Sequence, residues 1–197
     1  MAHLLSVQER KNLVLTMLND VLGVLKQVHD VQVCVIGVDD EVKSMARRFN
    51  FTFIGEKAEA GLNEAISTCL ASLSLKKEDT ALVLPADIPL IKAEDVTSIL
   101  HLKGEFDVVV CPSKDFTGTN ALLLRLPPAI QPMFGIDSFK KHVEASSSRN
   151  LRIKILRIDS IARDVDSVTD LESVLEASRE TNTSRFIHDA GILERLR

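Results

Sequence analysis

The segment LVLPADIPL, residues 82–90, places one carboxylate at the end of a predicted buried strand. The apolar residues 81–84 stop abruptly at Pro85, and Asp87 stands between Pro85 and Pro89. In an open α/β sheet, ligands bind in the crevice outside the carboxyl ends of the strands, which is where this pattern places Asp87. A carboxylate there is desolvated unless a partner pairs it, and Mg²⁺ shared with substrate phosphates is a common partner. The alternative is that Asp87 caps a turn or the following helix.

A second polar cluster, Gly118, Thr119 and Asn120, stands at the start of another predicted strand. The glycine allows the backbone to turn tightly or to approach a ligand, while the hydroxyl and the amide offer uncharged hydrogen-bonding groups. These residues are candidates for binding a polar ligand. A plain loop that leads into a strand is the alternative.

A third cluster precedes a predicted helix at residues 139–146. Gly135 gives the chain flexibility, and Ser138 is predicted to cap the N-terminus of this helix. The free N–H groups at a helix N-terminus form a ready site for an anion. An ordinary cap without a ligand is the alternative.

Two further carboxylates, Asp164 and Asp166, are separated by one residue on a predicted extended segment. Both side chains can then point to the same face, with Val165 turned into the core. Thr169 and Asp170 compete for the capping of the next helix. We therefore predict that Asp166 is free to act as a second carboxylate beside Asp87.

The histidines and cysteines show no spacing typical of a metal site. His142 follows Lys140 and Lys141, so we predict that it belongs to a solvated helix face. The four other histidines do not pair with each other or with the cysteines. The three cysteines lie in apolar runs and are predicted to be small buried hydrophobic residues, which suits a reducing cytoplasm; they are Cys34, Cys69 and Cys111.

The composition indicates one globular domain that spans residues 1–197, with 45% hydrophobic and 26% charged residues. A net charge of −4 gives no overall basic field, which argues against a nucleic-acid partner. No apolar run approaches the length of about 18 residues that a membrane span needs, and no secretory signal pattern opens the chain. We therefore expect a cytoplasmic protein that does not bind a membrane.

The order of predicted elements favours an α/β fold. Ser6 and Glu9 have the spacing of a capping box, which predicts a long helix that begins at this point. Buried strands then alternate with amphipathic helices, which is typical of a three-layer α/β/α protein with a mostly parallel, doubly wound, Rossmann-like sheet. The predicted strands are 31–38, 51–54 and 81–84, and the predicted helices are 41–49, 61–73 and 93–102.

The alternation changes after Gly104. Strands 107–111 and 120–126 follow one another without a full helix between them, which predicts an antiparallel insertion in the sheet. A further strand is predicted at 151–158, and two helices, 169–177 and 184–196, follow it. The last helix carries an apolar stripe that is predicted to dock on the core of its own chain, with a homodimer contact as the alternative; the stripe is Phe186, Ala190, Leu193 and Leu196.

Four segments together resemble the 2-phospholactate guanylyltransferase family. They are LVLPADIPL (82–90), GTNALLLR (118–125), FGIDSFKKH (134–142) and DVDSVTDLESV (164–174). The resemblance implies a nucleotidyltransferase that takes part in the synthesis of the deazaflavin coenzyme F-420. Such an enzyme transfers GMP from GTP to the phosphate of 2-phospholactate, phosphoenolpyruvate or 3-phosphoglycerate and releases pyrophosphate. The acceptor phosphate is already ionised at pH 7, so the reaction needs no general base.

The resemblance also implies roles for single residues. Asp87 is the implied catalytic residue, and it would hold Mg²⁺ together with Asp166. Four residues are implied to bind the phosphorylated three-carbon acid: Thr119, Asn120, Gly135 and Ser138. Five residues are implied to lie near the nucleotide: Gly61, Leu62, Asn63, Pro85 and Ala86.

The start of the sequence departs from the family pattern. Members normally carry a strand and a basic loop upstream of the capping box, and we expect roughly 20 such residues to precede Met1. Two alternatives stay open. One is a nucleotidyltransferase of the same fold with another substrate, such as a molybdopterin guanylyltransferase or a cytidylyltransferase. The other is a non-catalytic binding subunit that lacks the nucleotide loop.

Overall fold

A computed structural model of the chain describes residues 4–55, 61–72, 79–178 and 180–196. In chain order the elements are α1 (Val7–Leu25), β1 (Cys34–Gly37), α2 (Asp40–Arg48), β2 (Thr52–Gly55), α3 (Leu62–Ser72), β3 (Thr80–Val83), α4 (Ala93–Leu100), β4 (Val108–Pro112), β5 (Thr119–Arg125), α5 (Ser138–Ser148), β6 (Ile153–Ile155), α6 (Val168–Ala177), α7 (Asn182–Asp189) and a 3₁₀ turn at Leu193–Leu196. Residue 73 of the predicted third helix lies outside the described residues. None of the described helices is long and apolar enough to cross a membrane.

The larger sheet has the strand order β3-β5-β4-β6. β5 is antiparallel to both of its neighbours, and β4 is parallel to β6. β3, β4 and β6 therefore point in one direction, and β5 alone runs against them. β1 and β2 form a separate parallel pair. The predicted antiparallel insertion after Gly104 is confirmed.

Helices cover both faces of this sheet. On one face, alternate residues of β4 and β5 pack with α1 and α4; they include Val109, Cys111, Ala121 and Leu123 with Val21, Val96 and Ile99. On the other face, the intervening residues pack with α5; they include Val108, Val110, Leu122 and Leu124 with Phe139 and Ala145. This is the predicted three-layer α/β/α arrangement.

The two ends of the chain are joined through one buried carboxylate. The predicted capping box of α1 is confirmed, because Ser6 and Glu9 exchange hydrogen bonds there. Further along α1, Asp20 accepts hydrogen bonds from the backbone and the side chains of both Asn182 and Thr183. Asp20 thus supplies acceptors to the N–H groups at the start of α7 that no residue of the helix can satisfy.

Three predicted elements are clearly shorter than expected, and one of them is the predicted strand 31–38, which is observed only as β1. The predicted helix 184–196 is interrupted, because α7 ends at Asp189 and Gly191 takes the left-handed conformation with φ 57°. The predicted strand 151–158 forms ladder pairs only over β6. The docking of the last helix on its own core is confirmed for Phe186 and Ala190, which pack in a cluster with α1 and α6.

Candidate functional site

Asp87 lies in the loop that follows β3, where the sequence places it. The loop is held by the buried side chains of Ile88 and Ile91. Asp87 itself is half-buried, and its Oδ1 atom has no solvent exposure and no hydrogen-bond partner among the described residues. A buried polar atom without a partner is costly, so this oxygen is a marker of a ligand site.

The segment with Asp164 and Asp166 is joined directly to this loop. The N–H of Val165 donates to the carbonyl of Asp87 over 2.9 Å, and the Val165 side chain is buried, as predicted. Burial, then the charge of Asp164 and to a lesser extent that of Asp166, raise the pKa of Asp87 to about 6. Three carboxylates thus share one edge of the sheet.

These carboxylates suit a divalent cation that also binds substrate. The unpartnered Oδ1 of Asp87 offers a free oxygen ligand, and the mutual repulsion of the aspartates would be relieved by positive charge. Within the described ranges, no group of three or more His, Cys, Asp or Glu side chains has the arrangement of a complete metal site. Mg²⁺ normally takes one or two carboxylates and completes its shell with water and phosphate oxygens.

Asn120 lies beside this carboxylate edge. Its side chain is buried, and Nδ2 donates to the carbonyl of Ile161 over 2.9 Å. Burial raises the pKa of Asp164, and the neighbouring Asn120 amide opposes that rise. Asn120 therefore supports Asp164, and its predicted contact with the acid stays a prediction.

Thr119 contacts α5 through a buried histidine. Thr119 Oγ1 lies 3.0 Å from His142 Nδ1, and His142 Nε2 accepts the N–H of Met133 over 2.9 Å. His142 is 0% exposed, so its predicted place on a solvated face is wrong. Ser138, His142 and Ser146 are spaced by four residues and form a buried polar stripe of α5, while Lys140 and Lys141 point away. This four-residue spacing is the sequence signal that could have predicted the burial of His142.

An irregular ladder explains how Thr119 reaches α5. The register of β4 and β5 shifts between Cys111 and Pro112, where Thr119 pairs with Pro112. Side chains alternate between faces in a regular strand, so without this irregularity Thr119 would share the α1 and α4 face with Ala121. Just before β5, Gly118 lies so close to Ser113 that an added Cβ would be 3.2 Å from the Ser113 hydroxyl.

The loop before α5 turns through two left-handed residues, Gly135 with φ 107° and Asp137 with φ 55°. Asp137 is the N-cap of α5 and makes no side-chain capping bond. The prediction that Ser138 caps this helix is therefore wrong, because Ser138 is already its first residue and is buried. No side chain caps the N–H groups at this end, but backbone carbonyls accept two of them: the Ser138 N–H donates to Gly135 and the Phe139 N–H donates to Thr117.

The predicted nucleotide segment is tied to the same loop. Asn63 donates through Nδ2 to the carbonyl of Phe134 over 3.1 Å and accepts the N–H of Phe134 at Oδ1 over 2.7 Å. Gly61 has φ 75°, and Leu62 is exposed at the start of α3. In the loop after β3, Ala86 packs beside β1 and α2. Nucleotide contacts of these residues and of Pro85 stay predictions.

Comparison with known sequences identifies the family. The family model described as "Guanylyl transferase CofC like" matches residues 1–195. The chain belongs to this family. The CofC-like assignment confirms the resemblance that the four sequence segments indicated.

Two curated relatives of this CofC-like chain show how far the similarity extends. The 2-phospho-L-lactate guanylyltransferase of Methanobrevibacter smithii is 30% identical over 188 residues, which are 95% of this chain and 82% of that protein. The phosphoenolpyruvate guanylyltransferase of a Roseiflexus species is 34% identical over 187 residues, which are 94% of this chain and 82% of that protein.

Solved structures show the same fold at lower sequence identity. A crystal structure named as a nucleotide-diphospho-sugar transferase from Desulfovibrio desulfuricans has a TM-score of 0.77 at 19% identity and covers 98% of this chain and 89% of its own. A 4-diphosphocytidyl-2C-methyl-D-erythritol synthase has a TM-score of 0.64 at 13% identity, with 82% of this chain and 89% of its own covered. The CofC-like chain thus shares the α/β fold of these two structures.

The burial of His142 predicts a stability that falls in acid. Burial, with a smaller contribution from Lys141, lowers the pKa of His142 from 6.5 to about 4. The His142 imidazole is therefore protonated at a higher pH in the unfolded chain than in the folded protein. As a result, the free energy of unfolding falls by roughly 3 kcal/mol between about pH 6.5 and about pH 4. Asp87, with its raised pKa, titrates over the same range with the opposite sign, so the loss is measured as the difference between urea unfolding of the wild-type protein and of His142→Gln, which should lack it. An identical slope in both proteins would contradict the prediction.

Proposed function

We propose that this CofC-like nucleotidyltransferase transfers the guanylyl group of GTP to the phosphate of a three-carbon acid and releases pyrophosphate. The observation that carries the proposal is the buried, unpartnered Oδ1 of Asp87 beside two further carboxylates. The names of the relatives support 2-phospholactate and phosphoenolpyruvate as acceptors. The product would enter the synthesis of the deazaflavin coenzyme in the cytoplasm, in keeping with the free cysteines of the described residues.

Asp87 and Asp166 are proposed to hold Mg²⁺ with the phosphate oxygens of GTP. The ion would supply positive charge that neutralises the α-phosphate during the transfer. Asp164 would remain beside the pair, oriented by Asn120. The nucleotide would lie between this edge and the start of α3, where Gly61, Leu62, Asn63, Pro85 and Ala86 are the proposed contacts.

The acid is proposed to bind at the N-terminus of α5. Thr119 and Ser138 would offer their hydroxyl groups, and Gly135 would offer its backbone N–H, to the negative oxygens of the acid. An oxygen of the acceptor phosphate attacks the α-phosphorus of GTP, and the bond from that phosphorus to the β-phosphate oxygen breaks. Because the attacking oxygen is already ionised, the residues act by holding two anions in line rather than by moving a proton.

Pyrophosphate release tests the proposal. The chain is incubated with Mg²⁺ and GTP, and 2-phospholactate, phosphoenolpyruvate and 3-phosphoglycerate are supplied in separate reactions. We expect release that depends on one of these acids and that is absent when CTP or ATP replaces GTP. Release with CTP would favour a cytidylyltransferase instead. Binding of an acid without any release would favour a non-catalytic subunit and would overturn the proposal.

A further inference from the structure

His142 touches both walls of the proposed acid site, the start of β5 and the loop before α5. Its imidazole has no solvent exposure, and it contacts Thr119 at the start of β5 and Met133 in the loop before α5. Phe134 packs its ring edge-on against the imidazole, with centroids 5.3 Å apart. A ring held from three sides has one orientation, so its two nitrogen atoms are distinct.

The partner of Nε2 determines where the ring proton lies. A backbone N–H can only donate, so the nitrogen that faces Met133 must carry a lone pair. A neutral imidazole has one N–H, which therefore belongs to Nδ1. The low pKa of His142, about 4, keeps the ring neutral near pH 7.

The tautomer then determines the role of the Thr119 hydroxyl. Nδ1–H donates to Thr119 Oγ1 over 3.0 Å, so the oxygen acts as an acceptor in this bond. The hydrogen of the Thr119 hydroxyl then has no acceptor, because no described residue other than His142 makes a hydrogen bond with this hydroxyl. Its natural acceptor is an oxygen atom of a ligand.

We propose that His142 is a positioning residue that commits the Thr119 hydroxyl to donate a hydrogen bond to an anionic oxygen of the acid substrate. The inference rests on the proposed function for the identity of that substrate. Through Met133 the same ring also fixes the residues just before Gly135, which Asn63 holds from the other side through Phe134. The buried His142 side chain thus joins the Thr119 hydroxyl to α5 and to the loop before it.

Two matched substitutions separate the two hydrogen bonds of the imidazole, the one with Thr119 and the one with Met133. In asparagine the amide occupies the place of Nδ1, so His142→Asn can still donate to Thr119. In glutamine it reaches the place of Nε2, so His142→Gln can still accept from Met133 but leaves Thr119 without its donor. Both variants lose the aromatic ring, and their melting temperatures should fall by similar amounts.

The steady-state constants of the two variants give the decisive comparison. We expect His142→Gln to raise the KM for the acid by up to about tenfold, because the Thr119 hydroxyl is still present but is no longer held as a donor toward the acid. His142→Asn should raise it by a much smaller factor, and the KM for GTP should stay unchanged in both. In a Thr119→Val background the difference between the variants should disappear. Equal KM values for the acid, or a difference that persists without the Thr119 hydroxyl, would overturn the inference.

The tautomer can be measured without any turnover. A long-range ¹H–¹⁵N spectrum of the histidine-labelled wild-type protein should show the buried imidazole protonated at Nδ1 and not at Nε2. A proton at Nε2 overturns the inference even if guanylyl transfer is confirmed. A proton at Nδ1 in a protein that releases no pyrophosphate with any acid would mean that the proposed function fails while the geometry of His142 and Thr119 holds.

Discussion

Asp87→Asn is expected to lower turnover by roughly a thousandfold while the protein becomes no less stable. The loss follows because the substitution removes the negative charge that would hold Mg²⁺ against the phosphates of GTP. Asparagine has almost the same shape, so the fold around the buried Ile88 and Ile91 need not change. A residue kept for catalysis and not for stability shows this combination of effects.

The expectation that Asp87→Asn does not destabilise the protein follows from the pKa of Asp87. Burial and the charge of Asp164 raise this pKa from 3.8 to about 6. Above pH 6 the folded protein must therefore keep a carboxylate charged that ionises more easily in the unfolded chain, so the charge opposes folding. Removing it should raise the free energy of unfolding at pH 7 by up to roughly 3 kcal/mol.

The turnover and the stability of Asp87→Asn are measured separately. Pyrophosphate release gives the turnover, and urea unfolding without Mg²⁺ gives the stability. Asp159→Asn is the matched control, because Asp159 is 80% exposed, pairs with Arg157 at the surface and should affect neither quantity. Normal turnover of Asp87→Asn, or a stability loss as large as the activity loss, would contradict a metal-binding role.

Local sequence patterns were sufficient for the parts of the fold that depend on neighbouring residues. The capping box at Ser6 and Glu9 acts within one helical turn, so the start of α1 could be predicted to the residue. The antiparallel direction of β5 followed from the short connection after β4, which has no room for a crossover helix. Asp87 could be placed because strand ends and prolines mark an edge of the sheet in sequence.

The remaining features depend on contacts between distant segments. The hydrogen bonds of Asn63 with Phe134 join residues 71 positions apart, and those of Asp20 with Thr183 join residues 163 apart. The irregular ladder at Thr119 involves the pairing of two strands, which neither strand shows alone. His142 was misplaced because its lysine neighbours dominate the local pattern, although they lie on the other side of α5.

The second large effect is expected at Asp166, where the structure distinguishes two nearby aspartates. The carboxylate of Asp166 is exposed and accepts no hydrogen bond from the described residues. Asp170, and not Asp166, accepts the N–H groups of Asp166 and of the N-cap residue Ser167 at the start of α6. Asp164 is half-buried and faces the Asn120 amide. Asp166 therefore has free oxygen atoms for a cation, while Asp164 is already engaged.

Asp166→Asn should lower turnover by roughly a hundredfold and raise the Mg²⁺ concentration for half-maximal activity by about tenfold. Asp164→Asn removes the same charge two residues away and should change the Mg²⁺ requirement by a smaller factor, because it alters a neighbour of the ion and not a ligand. Titration of pyrophosphate release with Mg²⁺ compares the pair directly. If Asp164→Asn had the larger effect on the Mg²⁺ requirement, the second ligand would be Asp164, and Asn120 would be the residue that orients it.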